Sequence, residues 1–469
     1  MKSRDSGHMR SFVKRVHFVG IGGVGMSGIA ELLCNLGYQV SGSDMSGSEI
    51  TCRLKAAGAR VFLGHRAAQA RGAQVVVVSS AVPARNCEVA AARRAGVPVV
   101  LRAQMLAELG RMKKTVTVAG SHGKTTTTAM VAMALSGAGA QPTMIVGGQI
   151  KNIAANARLG LGDYMVAEAD ESDGSFVHLA PLVAVVTNID NDHLDFHKNM
   201  DNLREAFRQH LARLPFYGAA VLCADDPALA GMARELRVPV IGYGLRRRAD
   251  WQARGVRMGR DGSLYEAWHK GRRLAEVRLR VPGRHNVLNS LAALAVGRFL
   301  GFPLAGLVRG LAAFRGVGRR LDRLGAASGI EFVDDYGHHP TEVRAAVDAV
   351  AALWRAGRGR RQIVIFQPHR YTRTRLLARD FGKAFKRADF VYVMDIYPAG
   401  EAPIQGVSSR LILDSLRREG VACAAFAGSL EALRRLRRGD VVLTLGAGDV
   451  WKTGVDLLRR LQSELASPV

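Results

Sequence analysis

The chain has 469 residues, of which 48% are hydrophobic and only 6% aromatic. At roughly 150 residues per domain this length predicts about three domains, and it excludes a small peptide-like fold. The composition excludes a disordered chain, and its abundant Ala, Gly and Val are typical of an α/β protein with aliphatic parallel strands.

The formal net charge is +26, and the excess arginine is spread along the chain with dense runs at 246–248 and 434–438. A nucleic-acid-binding protein is one interpretation of this charge. Basic and aromatic residues do not alternate as a base-stacking surface would require, which argues against it. Small polyanionic substrates, or merely a bias in base composition, are the other interpretations.

The five cysteines are dispersed and form no CxxC pair, so they indicate neither a zinc site nor a disulfide framework. We therefore expect a reducing, cytoplasmic setting. Residues 1–13 lack the apolar core of a signal peptide and are expected to be disordered. The uncharged stretch from Lys124 to Lys151 is interrupted by Gly, Pro, Gln and Thr, which predicts a buried helix and a strand rather than a membrane span.

The first predicted domain covers residues 14–112. Its strand-like runs alternate with helical segments and lie at 16–19, 38–40, 75–82 and 97–100. This alternation predicts a doubly wound, Rossmann-like parallel sheet.

A glycine-rich turn, GIGGVGMSG, follows the first strand and includes Gly22 and Gly23. With Asp44 about 20 residues further on, it is similar to the dinucleotide fingerprint G-x-G-x-x-G. The same geometry holds any diphosphate, including that of a nucleotide sugar. The motif thus leaves the choice between a dinucleotide and a sugar nucleotide open.

The second predicted domain, a central α/β domain of the P-loop ATPase type, covers residues 113–321. Its aliphatic runs end in polar or acidic residues, as in TVTVAG, YMVAEAD, LVAVVTNID and AAVLCADD. Polar groups at the carboxyl ends of strands mark the ligand side of such a sheet. A small meander is predicted over residues 243–279, and VPGRHNVLN begins a helix.

The third predicted domain covers residues 322–469 and is again Rossmann-like α/β. Its strand-like runs are IEFVDDY, RQIVIFQP, FVYVMDIY and VVLTLGAG, separated by amphipathic helical segments. Its size is that of an ordinary domain.

The strongest local motif is VAGSHGKTTTT, between a predicted strand and a helix. Successive backbone N–H groups there can cradle phosphates, while the lysine reaches the terminal phosphates and the following threonine can bind Mg²⁺. Val118 stands where a strict Walker motif has glycine, but the GKT core still favours nucleotide binding. The predicted ATP-binding residues of the loop are Gly120, Ser121, His122, Gly123, Lys124, Thr125 and Thr126.

Four carboxylates follow the next strand in EADESD: Glu168, Asp170, Glu171 and Asp173. They would repel one another unless a cation lies among them, and Mg²⁺ is the simplest candidate, with Mn²⁺ as the alternative. A solvated acidic loop is the alternative. His193, at the next strand end, could complete the metal shell or orient a phosphate.

Phosphate transfer to a carboxylate brings two anions together and needs more positive charge than one lysine. Arg320 in GVGRRLD is a candidate clamp. In HNVLN, His285, Asn286 and Asn289 could bind adenine or ribose, or merely cap the helix.

The third domain concentrates histidine and arginine at predicted strand ends in DDYGHHPTE and FQPHRYTRT. Arginine binds carboxylates through paired hydrogen bonds, so the acidic end of an amino acid is a natural ligand. The residues concerned are His338, His339, His369, Arg370 and Arg373.

The chain closely resembles the Mur ligases from about Val16 to Trp451. It carries in order GIGGVGMSGIAE, SGSD, AGSHGKTTTT, NARLG, EADESDGSF, TNIDNDHLD, LPFYG, PGRHNVLN, GVGRRLD, VDDYGHHPTEV, FQPHRYTRTR, AGEAPI and GAGDV. The resemblance implies ATP-dependent ligation of L-alanine to the lactyl carboxylate of UDP-N-acetylmuramate through an acyl phosphate, by a monomer or homodimer. It also implies no nucleic-acid partner and no membrane span.

The resemblance also implies roles for individual residues. Lys124, Glu168, His193, Arg320 and His338 would be catalytic, and Thr125, Glu168 and His193 would hold the metal. His338 would orient or deprotonate the amine. The positions implied to bind the sugar nucleotide and alanine are Gly22, Gly23, Asp44, His65, Ser79, Ser80, Tyr336, His338, His369, Arg370 and Arg373.

The chain departs from the family pattern at two places. Ser121 replaces the usual threonine of GTHGKT and keeps the hydroxyl. The segment AFRQHLARLPFYG has no lysine of the kind that several sister ligases carbamylate, so a second Mg²⁺ site is left open.

Three alternative functions predict different features of the sequence. A murein-peptide ligase would carry another string in place of FQPHRYTRT. An NAD-dependent oxidoreductase would leave the GKT loop unused, and a nucleic-acid-binding ATPase would leave the histidines and arginines of the third domain unexplained.

Overall fold

The computed structural model describes residues 7–79, 82–83, 85–153, 155–354 and 360–466. The chain divides into two compact units. The first contains residues 1–257 and 263–315, and the second contains 258–262 and 316–469.

The described strands alternate with helices along most of the chain. The strands are β1 (Arg15–Val19), β2 (Gln39–Asp44), β3 (Arg60–Leu63), β4 (Val75–Val78), β5 (Val99–Leu101), β6 (Lys114–Ala119), β7 (Thr143–Ile150), β8 (Ala155–Arg158), β9 (Tyr164–Glu168), β10 (Val183–Val186), β11 (Ala219–Cys223), β12 (Val240–Gly244), β13 (Trp251–Gly259), β14 (Gly262–His269), β15 (Arg272–Leu279), β16 (Asp322–Ala327), β17 (Ile330–Asp335), β18 (Gln362–Phe366), β19 (Phe390–Val393), β20 (Cys423–Ala425) and β21 (Val441–Leu445).

The described helices follow the same order. They are α1 (Gly7–Phe12), α2 (Val24–Asn35), α3 (Glu49–Ala56), α4 (Cys87–Arg94), α5 (Arg102–Arg111), α6 (Lys124–Gly137), α7 (Leu194–His197), α8 (Met200–Leu211), α9 (Pro227–Met232), α10 (Arg284–Phe299), α11 (Leu304–Ala313), α12 (Pro340–Trp354), α13 (Tyr371–Ala384), α14 (Arg410–Arg418), α15 (Ser429–Arg435) and α16 (Val450–Ala466). Two short 3₁₀ helices lie at Ala67–Ala70 and Ser175–His178.

The N-terminal sheet has the order β3-β2-β1-β4-β5, and all neighbouring strands are parallel. Strand order reverses between β1 and β4, where α/β sheets of this kind bind ligands. Gly7–Phe12 form a short helix inside the N-terminal segment that we expected to be disordered. The boundary predicted after residue 112 lies between α5 and β6.

The central sheet has the order β15-β14-β13-β12-β11-β10-β6-β9-β7-β8. Its middle strands β11, β10, β6 and β9 are buried and parallel to their neighbours, as expected for strands covered on both faces. The predicted meander forms β13, β14 and β15 at one edge of the sheet. The predicted buried helix and strand after Lys124 are α6 and β7.

Helix α6 is buried because it packs against the sheet on one side and against α10 and α11 on another. Gly137 and Gly310 allow the close approach of α6 and α11, since a Cβ on Gly137 would collide with the Gly310 backbone. This packing holds the N-terminus of α6 at the carboxyl end of β6.

The second unit contains a six-stranded sheet in the order β16-β17-β21-β18-β19-β20. Among the strands described in this sheet, only β16 pairs in the antiparallel direction. The longer segment of this unit begins at Gly316, shortly before the start predicted at Asp322. The predicted α/β class with three sheet-containing domains, the first of them parallel, is confirmed. Among the described residues, no helix has both the length and the apolar character needed to cross a bilayer.

Candidate active site

The predicted phosphate loop joins β6 to α6. Gly120 and Gly123 adopt φ values of +127° and +80°, a region that favours glycine. Position 120 also has room only for glycine, since a Cβ there would collide with the Thr187 side chain. The loop therefore leads directly to a helix N-terminus, whose free N–H groups and partial positive charge attract phosphate.

Lys124 is the first residue of α6, and its side chain is only 12% exposed. Its Nζ donates hydrogen bonds to Gly120 O at 2.8 Å and to Glu171 Oε1 at 2.9 Å. Burial alone would lower the pKa of Lys124, but Glu171 and the neighbouring carboxylates outweigh burial and hold the pKa above its ordinary value. The ammonium therefore stays charged at the mouth of the phosphate loop.

Glu168 and Thr125 contact each other beside this lysine. Thr125 Oγ1 donates to Glu168 Oε1 at 3.2 Å, and Gly147 N donates to Glu168 Oε2 at 2.7 Å. Burial raises the pKa of Glu168, although Lys124 opposes the rise. The structure thus brings together two of the three predicted metal ligands.

The third predicted ligand, His193, lies with Asp170 and Glu171. One potential ligand atom from each of these three side chains lies within 4.8 Å of the other two. Burial would raise the pKa of Asp170, but Lys124 and other cations lower it below its ordinary value, so Asp170 is a carboxylate at neutral pH.

Glu171 has no exposed side-chain surface. Burial raises its pKa to about 7, although Lys124 opposes this. Its Oε2 is buried and accepts no hydrogen bond from any residue that the structure describes. A buried oxygen of this kind, next to a second carboxylate and an imidazole, fits a hard divalent cation.

The segment after β10 holds the phosphate loop in place through several hydrogen bonds. We did not predict this role from the sequence. Asn188 Oδ1 accepts a hydrogen bond from His122 N at 2.9 Å, and Thr187 Oγ1 donates to His122 O at 2.6 Å. Asp190 N donates to Ser121 Oγ at 2.9 Å, and the Asp190 carboxylate lies 2.9 Å from His122 Nε2. The side chains of Ser121 and His122 thus hold the shape of the loop.

Helix α10 begins beside the phosphate loop. The Asn289 Oδ1 atom lies 3.3 Å from where a Cβ on Gly123 would stand, so this buried amide faces the loop. Asn286 instead donates its amide to Pro282 O at 2.6 Å and stabilises the start of the helix. The His285 ring lies over Gly283, whose φ is +105°. Thr126 is buried within α6.

The predicted sugar-nucleotide loop joins β1 to α2. Gly22 N donates to Asp44 Oδ2 at 2.8 Å, and Gly23 precedes the first residue of α2. Ser79 Oγ lies 3.9 Å from where a Cβ on Gly20 would stand. Ser80 lies outside the described residues.

Behind this loop is a buried polar cluster that the sequence analysis missed. His17 and Glu88 are both fully buried, and His17 Nε2 lies 3.2 Å from Glu88 Oε2. Ser43 Oγ donates to the same carboxylate oxygen at 2.6 Å and lies 2.9 Å from His65 Nδ1. His65, which the resemblance implies to be a ligand-binding residue, is therefore connected through Ser43 to a buried carboxylate.

The second unit brings together most of the histidines and arginines predicted there. The rings of Tyr336 and His338 are 5.6 Å apart, and those of His338 and His369 are 5.5 Å apart. Tyr397, which was not predicted, stacks on His369 at 5.7 Å. Arg373 is 8% exposed, and its Nη1 lies 3.3 Å from His369 Nδ1.

Arg320 belongs to the same group in the second unit. Its guanidinium lies 5.2 Å from the centre of the Tyr336 ring, and its Nη1 lies 3.9 Å from Glu342 Oε1. His338 Nδ1 is 3.4 Å from the other oxygen of Glu342. Arg370, with φ of +69°, precedes α13, and His339 Nδ1 accepts from Thr341 N at 3.3 Å.

Comparison with known proteins gives the family. The UDP-N-acetylmuramate–L-alanine ligase of Geobacter sp. (strain M21) is 50% identical to this chain over 456 residues, which are 96% of this chain and 98% of that protein. The chain belongs to the Mur ligase family. Models of the Mur ligase catalytic domain, the Mur ligase middle domain and the glutamate ligase domain match residues 15–114, 118–297 and 319–448 of this Mur ligase.

Solved structures of Mur ligases have the same fold. The UDP-N-acetylmuramate–alanine ligase of Thermotoga maritima is 31% identical, with a TM-score of 0.81 over 96% of this chain and 99% of that chain. A murein peptide ligase of Psychrobacter arcticus is 23% identical, with a TM-score of 0.71 over 96% of this chain and 98% of that chain. At that identity the second likeness shows the fold alone.

Proposed function

We propose that this Mur ligase activates the lactyl carboxylate of UDP-N-acetylmuramate with ATP, as an acyl phosphate, and then couples it to L-alanine. The protein is an ADP-forming acid–amino-acid ligase of peptidoglycan biosynthesis, similar over nearly its whole length to a ligase with these two substrates. The geometric observation that carries the proposed chemistry is the buried, charged Lys124 among three carboxylates at the start of α6.

Phosphoryl transfer between a carboxylate and ATP is opposed by charge repulsion. The N–H groups at the start of α6 and the Lys124 ammonium can stabilise the terminal phosphates and the charge that develops during transfer. The hydrogen bonds from Lys124 to the loop and to Glu171 hold its Nζ in place before ATP binds. Little reorganisation is then needed at the moment of reaction.

The cluster of Asp170, Glu171 and His193, with Glu168 and Thr125 beside it, would hold Mg²⁺ or Mn²⁺. A bound divalent cation would supply further positive charge to the phosphate oxygens. Without it, the buried Glu171 would lack a compensating partner on its second oxygen.

We assign amino-acid binding to His369 and Arg373, and further positive charge to Arg320. Arg373 is buried against His369, and a buried guanidinium binds a carboxylate strongly. His338 is held by Glu342 and would orient the amine or accept its proton. The amine then attacks the acyl carbon, and phosphate leaves from the tetrahedral intermediate.

Asp44, Gly22 and Gly23, with His65 and Ser79, are proposed to bind the sugar nucleotide. Gly22 and Gly23 lie in the turn between β1 and α2, Asp44 accepts a hydrogen bond from it, and His65 contacts Ser43, the residue before Asp44. The strand order of the N-terminal sheet reverses at this turn. We propose a cytoplasmic location and a monomer or homodimer.

A phosphate-release assay tests this function. ATP, MgCl₂, UDP-N-acetylmuramate and L-alanine together should release phosphate and give UDP-N-acetylmuramoyl-L-alanine by mass spectrometry. Leaving out either UDP-N-acetylmuramate or L-alanine should stop product formation, and chelation of Mg²⁺ should do the same. Phosphate release without the sugar nucleotide, or ligation of a tripeptide in preference to L-alanine, would contradict the assignment.

A further inference from the structure

We propose that Glu88 is a positioning residue that, through Ser43, fixes the His65 ring with Nε2 as a hydrogen-bond acceptor for a donor group of the sugar nucleotide. The donor would be an imide N–H of the base or a sugar hydroxyl. This inference rests on the proposed function, because it takes His65 as part of the sugar-nucleotide site. It adds a buried residue that does not itself touch the substrate.

The Glu88 carboxylate connects four parts of the N-terminal sheet domain. It lies in the first turn of α4 and accepts hydrogen bonds from Ser43 Oγ on β2 at 2.6 Å and from Arg66 N after β3 at 3.1 Å. It also contacts His17 on β1, 3.2 Å away. Asn86 Oδ1 holds the start of α4 by accepting from Glu88 N at 2.9 Å.

Glu88 is ionised in this setting. Its side chain has no exposed surface, and burial alone would raise its pKa, but hydrogen bonds from His17, Ser43 and Arg66 hold the pKa below its ordinary value. A buried carboxylate can only accept hydrogen bonds. The Ser43 hydroxyl proton is therefore committed to Glu88.

The direction of the Ser43 hydroxyl proton determines which atom donates in the hydrogen bond between Ser43 and His65. Because the Ser43 proton points to Glu88, Ser43 Oγ can only accept from His65 Nδ1, which lies 2.9 Å away. A neutral imidazole that carries its proton on Nδ1 has an acceptor at Nε2. His65 Nε2 has no hydrogen-bond partner in the described part of the chain, and the side chain is 19% exposed.

The location links this cluster to the sugar-nucleotide loop. Ser43 O accepts from Gly20 N at 2.8 Å, and Asp44, the next residue, accepts from Gly22 N at 2.8 Å. One strand end therefore carries both the loop contacts and the bridge from Glu88 to His65. Loss of the Glu88 charge should change ligand binding at His65 and leave the phosphate loop after β6 unchanged.

A double-mutant cycle with the full-length enzyme tests this inference. Glu88→Gln keeps the shape but offers an amide N–H in place of one carboxylate oxygen. We expect the KM for UDP-N-acetylmuramate to rise roughly tenfold, with kcat and the KM for ATP nearly unchanged. In a His65→Ala background the same change should have almost no further effect.

Glu49→Gln is the matched control, because Glu49 is an exposed carboxylate in the first turn of the neighbouring helix α3. It should leave all three parameters unchanged. An equal effect of Glu88→Gln with and without His65 would overturn the inference, as would equal losses in kcat and in the KM for ATP.

A substrate-free measurement separates this inference from the proposed function. In ¹⁵N NMR spectra, His65 should carry its proton on Nδ1, and Ser43→Ala should shift it toward Nε2. If Glu88→Gln fails to fold, Ser43→Ala takes its place in the cycle. A wild-type enzyme that does not use UDP-N-acetylmuramate would refute the proposed function, whereas Nε2-protonated His65 in an active enzyme would refute this inference alone.

Discussion

Lys124 and Glu171 illustrate how a buried charge is maintained at the residue scale. Removing a lysine and a glutamate from water is costly, and their 2.9 Å contact offsets part of that cost. The two pKa values move in the same direction: Lys124 is held protonated, while Glu171 is brought to about 7. The charged Lys124 can therefore bind a phosphate, and Glu171 can bind a cation.

Lys124→Ala should lower the ligation rate by about 10² to 10³ or more, because it removes the charge closest to the phosphates. We expect the fold to survive, since Glu171 can take up a proton when its partner is lost. Phosphate release and a thermal melt measure the two effects. Lys55→Ala, at an exposed site in α3, is the control, and full activity of Lys124→Ala would mean that the phosphate site is elsewhere.

His210 makes stability depend on pH. It is fully buried between Thr117 Oγ1 and Phe176 O, at 3.0 Å and 3.1 Å, and burial lowers its pKa to about 4. The unfolded chain binds this proton near pH 6.5, so the neutral ring contributes stability above pH 6.5 that is lost as the pH falls toward 4.

We expect this loss to reach roughly 3 kcal/mol, at about 1.4 kcal/mol for each unit of pKa. The fall in melting temperature between pH 7 and pH 4.5 measures it. His210→Gln should be less stable at pH 7 but should lose less stability on acidification. An unchanged pH dependence in that variant would show that other groups are responsible.

At the scale of elements, the position of the phosphate loop depends on helix packing behind it. After the lysine and threonines at 124–128, helix α6 is apolar on all sides as far as residue 135, as expected for a helix buried on several sides. Its contact with α11 depends on glycine, since the backbones at Gly137 and Gly310 are too close for a Cβ. A local propensity argument would favour alanine at both positions, and the helix contact overrides it.

Gly137→Ala should destabilise the protein by roughly 1–3 kcal/mol, because α6 and α11 would have to move apart. A lower melting temperature and a reduced ligation rate are the expected results. Gly231→Ala in α9 is the matched control, because a Cβ there meets no described atom within 4 Å. It should be neutral or slightly stabilising. Equal melting temperatures for the two variants would contradict the proposed packing constraint.

At the scale of the whole molecule, a net charge of +26 accompanies substrates that are all anionic or zwitterionic. Such a charge raises the local concentration of anions and accelerates their association. The arginines are not confined to one motif, so the charge on its own does not distinguish ATP and a sugar nucleotide from nucleic acid. The sites in the two units are what favour the small substrates.

Ligand-dependent thermal stability distinguishes these partners. UDP-N-acetylmuramate and Mg·ATP should each raise the melting temperature, with about 2.7 kcal/mol of stabilisation at 100 times Kd. NAD⁺ and duplex DNA should leave it unchanged. Stabilisation by DNA at moderate salt, with none by the sugar nucleotide, would favour the nucleic-acid alternative.

Much of the fold follows from patterns that are local in sequence. Aliphatic runs such as those of β1, β6 and β10 are buried strands, and two glycines with positive φ, Gly20 and Gly120, mark the turns that follow β1 and β6. Strands such as β3 and β20 were missed because each has only three or four residues and is partly exposed, which is too short for a clear strand pattern. The order of the family motifs could likewise be identified from the sequence, because each motif is a contiguous string of residues.

The contacts within the candidate site could be determined only from the tertiary structure. Sequence alone placed Lys124 on a phosphate loop and found an acidic strand end, but it did not show which carboxylate contacts the lysine. It also missed Glu88, which looks like an ordinary residue in the first turn of a helix. Lys124 and Glu171 are 47 positions apart, and His17 and Glu88 are 71 apart. Such contacts arise only when strands pair and helices pack, because burial then decides which charges must find a partner.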